Sequence, residues 1–270
     1  MGALNSQTDL EKLPKLRKKE RRAQILLELR LHPHVRISDL SERFGVSTET
    51  IRRDFATLSS DGLLNRDHGG ASALSQGQYP SFEERNSARV EERERIGRAA
   101  AQLVHPGETV MIDSGSTTLQ CARFIAFQNT PCTVLTNSLT VAMALGQSDA
   151  VDVVMAPGDY LPSEAANVGP DAIDFIKRHN VDRCLIGASG LSEVGPSEAV
   201  RGVAASKRAM RRQSAEAHLL IDSKKFGKAG LAHIGALADL ASIVADKSPK
   251  GELALALIDA RVDIHVAQDY

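Results

Sequence analysis

The chain has 270 residues, 42% hydrophobic and 25% charged, values typical of a globular protein with a small and a larger domain. Its three cysteines lack Cys-x-x-Cys spacing and no apolar run reaches membrane-spanning length, so we expect a cytoplasmic protein with reduced thiols, no structural metal and no membrane partner. The net charge of −1 conceals +3 in residues 1–70 and −4 in the remainder, which suits a DNA-binding module joined to a domain of another kind.

The N-terminal region predicts a tail followed by a basic helix. Residues 1–14 lack periodicity, and we expect a disordered tail. A helix then runs from Lys15 to about His32, with six cations around Glu20 in its first turns. We slightly favour contact of these cations with the DNA backbone over a merely solvated first turn.

The stretch from Ser38 to Gly70 predicts two short helices joined by a tight turn and followed by a β-wing. Ser38 is the expected N-cap of the first helix, and Gly45 supplies the turn because glycine tolerates a left-handed backbone. Ser47 is the expected N-cap of the second helix. The residues expected to be buried are Leu40, Phe44, Ile51, Phe55 and Leu58.

The outer face of the second helix carries hydroxyls and arginines, which suit duplex DNA. Hydroxyls and N–H groups at a helix N-terminus bind phosphate, and arginines reach guanine edges or the backbone. Any one of these residues also fits an ordinary solvated helix, but their ordered combination with a glycine turn and a Gly-Gly wing favours DNA binding. The expected DNA contacts are Ser38, Ser47, Thr48, Thr50, Arg52, Arg53, Arg66 and His68.

This stretch resembles the winged helix-turn-helix of the DeoR family of bacterial transcriptional regulators. The resemblance covers about Arg21 to Ala71 and is carried by Ser47, Thr50–Asp54, Leu58, Gly62–Leu64 and His68–Gly70. It implies a regulator that binds double-stranded operator DNA. We expect the DNA-binding domain to span residues 15–74, a linker to span 75–81, and a larger domain to span 82–270.

Beyond Glu108, short apolar runs alternate with helical stretches, which predicts a mostly parallel α/β domain. The expected strands are Thr109–Ile112, Thr133–Leu135, Val151–Met155, Arg183–Ile186 and His218–Ile221, with further strands near Ile234, Ile243–Ala245 and Val262–Val266. The expected helices are Ser116–Phe127, Leu139–Leu145, Pro170–His179 and Val200–Arg212. A charged helix before them, around Ile96, is expected to pack this domain or bridge subunits.

Four loops at the carboxyl ends of these strands are rich in small polar residues. Each alone fits a strand-to-helix turn with a serine cap, but four at one end of a sheet favour a polyol or sugar-phosphate pocket. The loops contain Asp113, Ser114, Gly115, Ser116, Thr117 and Thr118; Thr136, Asn137 and Ser138; Gly187, Ser189 and Gly190; and Asp222 and Lys225.

Residues from about Phe82 to Ala245 resemble the effector domain of the same family, which is similar in fold to ribose-5-phosphate isomerase. The resemblance adds Gly158 to the effector site and implies that Lys207 is a cationic partner for an anionic ligand. Where the family commonly has Gly-Gly followed by Arg, and paired acids before the lysine, this chain has Pro157-Gly158, Leu161 and Gly202-Val203. These departures bear on which effector binds.

The favoured function is a non-enzymatic repressor of a sugar or polyol operon, released by a phosphorylated sugar and needing no cofactor. An activator with the same architecture and an architectural DNA-binding protein are alternatives, although the second leaves the pocket-like loops unexplained. An isomerase-like enzyme would draw on Asp113, Glu193, Glu198 and Lys207. One winged helix offers few base contacts, so we expect a homo-oligomer, either a dimer or a tetramer.

Overall fold

A computed structural model describes residues 16–31, 34–61, 63–67, 69–73 and 80–268. The chain divides into two units, residues 1–80 and 81–270. The expected tail over residues 1–14 and most of the expected linker lie outside the described residues.

The first unit is a winged helix-turn-helix, as predicted. Its elements are α1 (Lys18–Leu31), β1 (His34–Arg36), α2 (Ile37–Phe44), α3 (Thr48–Ser60), β2 (Leu64–Asp67) and β3 (Gly70–Ala73). The strands form an antiparallel sheet in the order β1-β3-β2, of which β1 was not predicted. All five residues expected in the core are buried, together with Ile25, Leu29 and Leu64.

Ser38 is not the N-cap of α2, contrary to the prediction. The helix begins at Ile37, because β1 runs directly into it and leaves Arg36 as the last extended residue. Ser38 therefore lies in the first turn, where its Oγ donates to Asp39 Oδ1 at 2.8 Å.

The second unit alternates strands and helices. Its helices are α4 (Phe82–Ser87), α5 (Val90–Ala101), α6 (Ser116–Gln128), α7 (Leu139–Leu145), α8 (Pro170–Lys177), α9 (Arg201–Arg212) and α10 (Glu252–Asp259). Its strands are β4 (Thr109–Ile112), β5 (Cys132–Thr136), β6 (Val151–Met155), β7 (Asp159–Leu161), β8 (Ala166–Val168), β9 (Val181–Ile186), β10 (Gly190–Ser192), β11 (Gly195–Glu198), β12 (Ser214–Ile221), β13 (Ala232–His233), β14 (Ser242–Ala245) and β15 (Asp263–Val266).

Seven of these strands form one parallel sheet in the order β15-β14-β12-β9-β4-β5-β6. Successive strand residues point to opposite faces, so Val110 and Ile112 join the core beneath α5, α6 and α7, while Met111 joins the core that includes residues of α8, α9 and α10. Burial on both faces explains the nearly continuous apolar strands. The predicted mostly parallel α/β fold is confirmed.

Two smaller sheets were not predicted. Strands β7 and β8 form an antiparallel pair, and β10, β11 and β13 form a three-stranded antiparallel sheet. The strand expected near Ile234 is β13, which ends one residue earlier at His233. Throughout the described part of the chain, no helix is both long and apolar enough to span a bilayer.

Candidate functional site

Helix α3 is positioned by the capped turn that the sequence predicted. Gly45 adopts φ +60° after α2, and the Oγ of Ser47 accepts a hydrogen bond from the backbone N–H of Thr50 at 3.2 Å. Thr48, Arg52, Arg53 and Ala56 are exposed, whereas Thr50 is half-buried. The turn therefore presents one polar face of α3 to the surroundings.

The two arginines of this face make only weak internal contacts. Arg52 Nη1 lies 3.8 Å and Arg53 Nε 3.3 Å from carboxylate oxygens of Glu49, and the two arginine side chains are 58% and 80% exposed. Exposed pairs of this kind contribute about 0–1 kcal/mol to stability. Both guanidinium groups can therefore exchange Glu49 for phosphate or a base edge at little cost.

Two cations of α1 have a structural partner instead. Arg21 Nε and Arg22 Nε lie 2.6 and 2.8 Å from the two carboxylate oxygens of Asp54, which is buried on the inner side of α3. They anchor α3 to α1, and this differs from the expected contact with DNA. Among the other predicted DNA contacts, Ser38 and Arg66 are exposed, and His68 lies outside the described residues.

In the second unit, the predicted loops meet where the strand order reverses. The chain adds β5 and β6 on one side of β4 and then places β9 on the other side. Ile112 of β4 pairs with Thr136 of β5 and with Leu185 of β9, so the loops that follow these strands are neighbours. Ligands of open α/β sheets bind at such a point, beyond the carboxyl ends of the strands.

A buried ion cluster occupies the floor of this point. Lys207 Nζ lies 2.9 Å from Asp113 Oδ2 and 2.5 Å from Glu198 Oε2, and it donates to the carbonyl of Gly187 at 3.0 Å. Asp113 Oδ2 also accepts from the N–H of Gly187 at 2.9 Å, and the hydroxyl of Ser189 donates to Glu198. The side chains of Lys207, Asp113 and Glu198 are 4%, 1% and 5% exposed, so the cluster is closed to bulk water.

The electrostatics keep Lys207 and Glu198 of this ion cluster charged. Burial alone lowers the pKa of Lys207, but the charges of Asp113 and Glu198 outweigh burial and raise that pKa above its ordinary value. Burial alone raises the pKa of Glu198, but the charge and hydrogen bond of Lys207 outweigh it and hold the pKa below its ordinary value. One cation thus faces two anions, and Lys207 is not the free cation that an anionic ligand needs.

Three buried polar atoms beside the ion cluster have no hydrogen-bond partner among the described residues. They are Asp113 Oδ1, Ser114 Oγ and Asn137 Oδ1, and their residues are 1%, 2% and 1% exposed. Buried polar atoms are normally paired, since leaving one unpaired costs about 1–3 kcal/mol. Two of the three are acceptors and the third is a hydroxyl, so they match a ligand rich in hydroxyl donors.

The N-terminus of α6 lies in the same loop. Its N-cap is Gly115, which offers no side chain to the N–H groups of the first turn, and that turn contains no acidic residue. Ser116 and Thr117 are the first two residues of the helix and are buried. Unoccupied N–H groups and the helix dipole favour an anion such as phosphate at this position.

The other predicted effector residues make contacts within the protein or lie at the ends of strands. Thr118 Oγ1 donates to the carbonyls of Asp113 and Gly115, Thr136 Oγ1 donates to Ile112, and Ser138 caps α7. These contacts shape the loops. Lys225 Nζ donates to the carbonyl of Ala188 at 2.7 Å, Gly190 begins β10, and Gly158 precedes β7.

Asp222 does not join this site. Its Oδ1 accepts from the N–H of Lys224 at 3.2 Å and lies 3.4 Å from Arg89 Nε, and its Oδ2 lies 3.9 Å from Arg93 Nη2. Conversely, Glu198 belongs to the site but was considered only as a possible catalytic acid. No local motif marks Glu198, because β11 of the unpredicted antiparallel sheet positions it.

Nothing in the site suggests a metal centre. Within the described ranges, no group of three or more histidine, cysteine, aspartate or glutamate side chains converges as a metal site requires. The arrangement offers hydroxyl acceptors, a helix N-terminus and a neutralised lysine, which suit binding of a polar small molecule. With the exposed face of α3, they define a DNA-binding protein that carries a small-molecule sensor domain.

Comparison with known proteins gives the family. The model of the DeoR-like helix-turn-helix domain matches residues 21–77, and that of the DeoR C terminal sensor domain matches residues 88–247. The chain belongs to the DeoR family of transcriptional regulators, as its resemblance implied.

Several curated relatives match most of the chain. The glycerol-3-phosphate regulon repressor of Escherichia coli K12 is 28% identical over 234 residues, covering 86% of this chain and 92% of the relative. The transcriptional repressor GlcR of Bacillus subtilis is 29% identical, covering 85% and 89%. The L-fucose operon activator of Haemophilus influenzae is 31% identical, covering 78% and 85%.

Among solved structures, ribose 5-phosphate isomerase A of Methanocaldococcus jannaschii aligns over 52% of this chain and 55% of its own. The identity is 15% and the TM-score is 0.39.

Proposed function

We propose that this regulator is a sequence-specific repressor in the bacterial cytoplasm, where a phosphorylated sugar or polyol releases it from operator DNA. The unpaired atoms of Asp113, Ser114 and Asn137 beside the uncapped N-terminus of α6 support the proposal most strongly. In that arrangement the α6 N-terminus binds the phosphate, and the unpaired acceptors bind hydroxyl groups. The operon it controls is one for sugar or polyol use.

Lys207 has a different role in this proposal from the one the family resemblance implied. Lys207 Nζ already contacts the carboxylates of Asp113 and Glu198, so these two partners offset its charge before any phosphate binds. We infer that Lys207 orients Asp113, so that Oδ1 can accept a hydrogen bond from a sugar hydroxyl. The phosphate therefore binds at the α6 end of the site.

Repression is favoured over activation by the names of two relatives, whereas a third relative is named an activator. Whether binding represses or activates transcription depends on where the operator lies relative to the promoter as well as on the protein. A reporter assay with this chain and its own promoter distinguishes the two, because deletion raises expression for a repressor and lowers it for an activator.

We propose that the sensor domain binds without catalysing a reaction. Sugar-phosphate isomerisation needs a carboxylate that is free to take a proton from carbon. Lys207 holds the pKa of Glu198 below its ordinary value, which makes Glu198 a weak base, and Asp113 Oδ2 contacts the same lysine. Glu193 is exposed in the turn between β10 and β11. Incubation with ribose 5-phosphate tests this directly, and formation of ribulose 5-phosphate would contradict it.

DNA recognition is tested with arginine variants of α3. Operator DNA is first selected from random duplexes with the full chain, and binding is then measured by fluorescence anisotropy. Arg52→Ala and Arg53→Ala should each weaken operator binding by about 1–3 kcal/mol if the arginine contacts a base edge. Arg178→Ala, which replaces an exposed arginine directly after α8, is the control and should bind like the parent. If the Arg52→Ala, Arg53→Ala double variant binds operator normally, α3 does not read the DNA.

Effector binding is tested with Ser114→Ala. Because Ser114 Oγ is buried and has no partner in the part of the chain that the structure describes, its removal should leave the ligand-free protein as stable as the parent, or slightly more so. The probes are glycerol 3-phosphate, glucose 6-phosphate and ribose 5-phosphate, compared by thermal shift. The variant should bind the active probe about 5- to 30-fold more weakly, a loss of about 1–2 kcal/mol.

The matched control is Ser148→Ala, which removes a buried serine hydroxyl that bonds to Asn129 in the same domain. It should lower stability without changing probe affinity. Equal effects of the two substitutions on probe affinity would place the effector elsewhere.

We also propose a homo-oligomer, because two half-sites are needed for tight operator binding. Residues 1–74 alone should then bind operator far more weakly than the full chain. A full chain that sediments as a monomer and still binds operator tightly would contradict this.

A further inference from the structure

We propose that three arginines at the start of the sensor domain couple the effector loops to the segment that joins the two units. This arginine cluster consists of Arg85 on α4, Arg89 between α4 and α5, and Arg93 on α5. The proposal rests on the proposed function, since it describes how occupancy of the effector site reaches the DNA-binding module.

Arg85 is bonded to an element that borders the effector site. Its Nη1 and Nη2 donate to the two carboxylate oxygens of Glu164 at 3.2 and 2.6 Å, and both side chains are buried. Glu164 ends a short helical turn that leads into β8. In β8, the N–H of Asn167 donates to the carbonyl of Asn137, and Asn137 Nδ2 donates back to the carbonyl of Asn167.

Because Asn137 also carries one of the unpaired acceptor atoms, a ligand that moves the Asn137 loop also moves Glu164. The bidentate pair transmits that movement to α4, since a fork of two hydrogen bonds fixes orientation as well as distance.

Arg89 is bonded to the other side of the site. Its Nη2 donates to Asp246 Oδ2 at 3.0 Å, and its Nε lies 3.4 Å from Asp222 Oδ1. Asp222 and Asp246 directly follow β12 and β14. Arg93 adds an ion pair to Asp222 at 3.9 Å and donates to the carbonyls of Arg85 and Ala88, so it closes the corner between α4 and α5.

The turn after Asp222 connects this group to the ion cluster. The N–H of Ser223 donates to Asp246 Oδ1 at 2.6 Å, and Lys225 Nζ donates to the carbonyl of Ala188 at 2.7 Å. Ala188 follows Gly187, whose N–H donates to Asp113. These hydrogen bonds, joined by the backbone between Gly187 and Ala188 and between Ser223 and Lys225, connect Asp113 to Asp246, a partner of Arg89.

The backbone at Arg89 provides an element that can change state. Arg89 has φ +52°, in the left-handed region that a residue with a side chain rarely adopts. The ion pairs with Asp222 and Asp246 hold it there. Loosening either pair allows the α4–α5 corner to relax, and α4 begins one residue after Ser81, where the second unit starts.

The coupling is tested with operator DNA, without need of an identified effector. Linkage is reciprocal, so DNA binding at the first unit must alter effector affinity if effector binding alters DNA affinity. We expect this change in affinity to appear as a change in the hydrogen exchange of the effector loops. Amide hydrogen exchange is measured on the full chain with and without selected operator duplex. In the parent, DNA should change the exchange rate of peptides covering residues 159–168 and 222–227 by at least about 2-fold.

Two variants interrupt the arginine cluster without leaving a buried charge unpaired. Arg89→Lys keeps the charge but replaces the rigid fork, whose Nε and Nη2 contact Asp222 and Asp246 separately, with a single flexible ammonium group. Arg85→Met with Glu164→Gln removes both charges of the other pair. Both should retain operator binding within about 3-fold and lose the DNA-dependent change in exchange. Arg183→Lys, which alters an ion pair with Glu108 and Glu216 toward the opposite end of the sheet, should behave like the parent.

The outcomes are separable. If the parent binds no DNA sequence specifically, the proposed function fails together with this inference. If it binds operator but the loop peptides do not respond, or respond equally in the Arg89→Lys variant, the coupling role of the arginine cluster is wrong while the proposed function stands. A merely structural role would raise exchange equally with and without DNA, which also overturns the proposal.

Discussion

Replacing Lys207 with Met should strongly destabilise the sensor domain, and the loss should depend on pH. The substitution keeps most of the side-chain volume but leaves Asp113 and Glu198 buried without their cation. Removing one partner of a buried ion pair costs about 3–5 kcal/mol. Two carboxylates lose their partner here, so we expect a loss at the upper end of that range at pH 7.

The pH dependence follows from the direction of the pKa changes. In the parent, the pKa of Glu198 lies below its ordinary value of 4.5, so its contribution is present above that pH and is lost only as the pH falls further. In the variant, burial without Lys207 raises the pKa of Glu198, and protonation of Glu198 relieves part of the unpaired charge. The stabilities of parent and variant should therefore converge as the pH falls from 7 to 5.

The assay is urea unfolding at pH 7 and pH 5, with Lys228→Met, an exposed lysine, as the control. The control should stay within about 0.5 kcal/mol of the parent at both pH values. A Lys207→Met variant as stable as the control, or a loss that does not change with pH, would refute the account of the ion cluster. For the same reason, loss of induction in a Lys207 variant is not by itself evidence of ligand contact.

Three further substitutions test separate parts of the structure. Asp54→Ala leaves the two α1 arginines unpaired and should lower the stability of the first unit by about 2–4 kcal/mol, and an unchanged denaturation midpoint would contradict the pairing. Burial and the charge of Arg183 lower the pKa of His218 from 6.5 to about 4, so the folded state loses stability as the pH falls below 6.5. At pH 5 the loss is about 2 kcal/mol, and His218→Gln should remove it from the pH profile of thermal unfolding. Gly97→Ala would place its Cβ 2.7 Å from the backbone of α6 and should lower the free energy of unfolding by about 1–3 kcal/mol, measured by calorimetry. An unchanged free energy of unfolding would mean that α5 can move away from α6 without cost.

The main sheet could be predicted from the sequence because its strands are buried on both faces and alternate with helices. Val151–Met155 and Leu139–Leu145 have the predicted bounds, since each is a short apolar run between turn residues. Strands β10 and β11 were missed because three or four residues with glycine and proline carry no periodic signal. Their position depends on tertiary packing rather than on local propensity.

The position of the site loops at the ends of neighbouring strands could be predicted from the sequence, but the contacts among their charged side chains could be predicted only in part. Sequence placed Asp113 and Asn137 at the ends of strands that turned out to be neighbours. It could not show that Glu198 neutralises Lys207, because β11 brings the two together from a separate sheet. Asp222 was assigned to the effector because it follows a strand, but in the structure its carboxylate contacts Arg89, which is far from it in the sequence.

The most direct test of the proposed function is release of operator DNA by a phosphorylated sugar. Labelled operator at half-saturation with the full chain is titrated with glycerol 3-phosphate, glucose 6-phosphate and ribose 5-phosphate, and anisotropy reports the bound fraction. We expect one probe to weaken operator binding about 5- to 150-fold in the parent, which corresponds to a coupling of about 1–3 kcal/mol. We expect Ser114→Ala to bind operator normally but to require about 5- to 30-fold more of that probe. Release of the parent and of Ser114→Ala at the same probe concentration would contradict the assignment of the effector site.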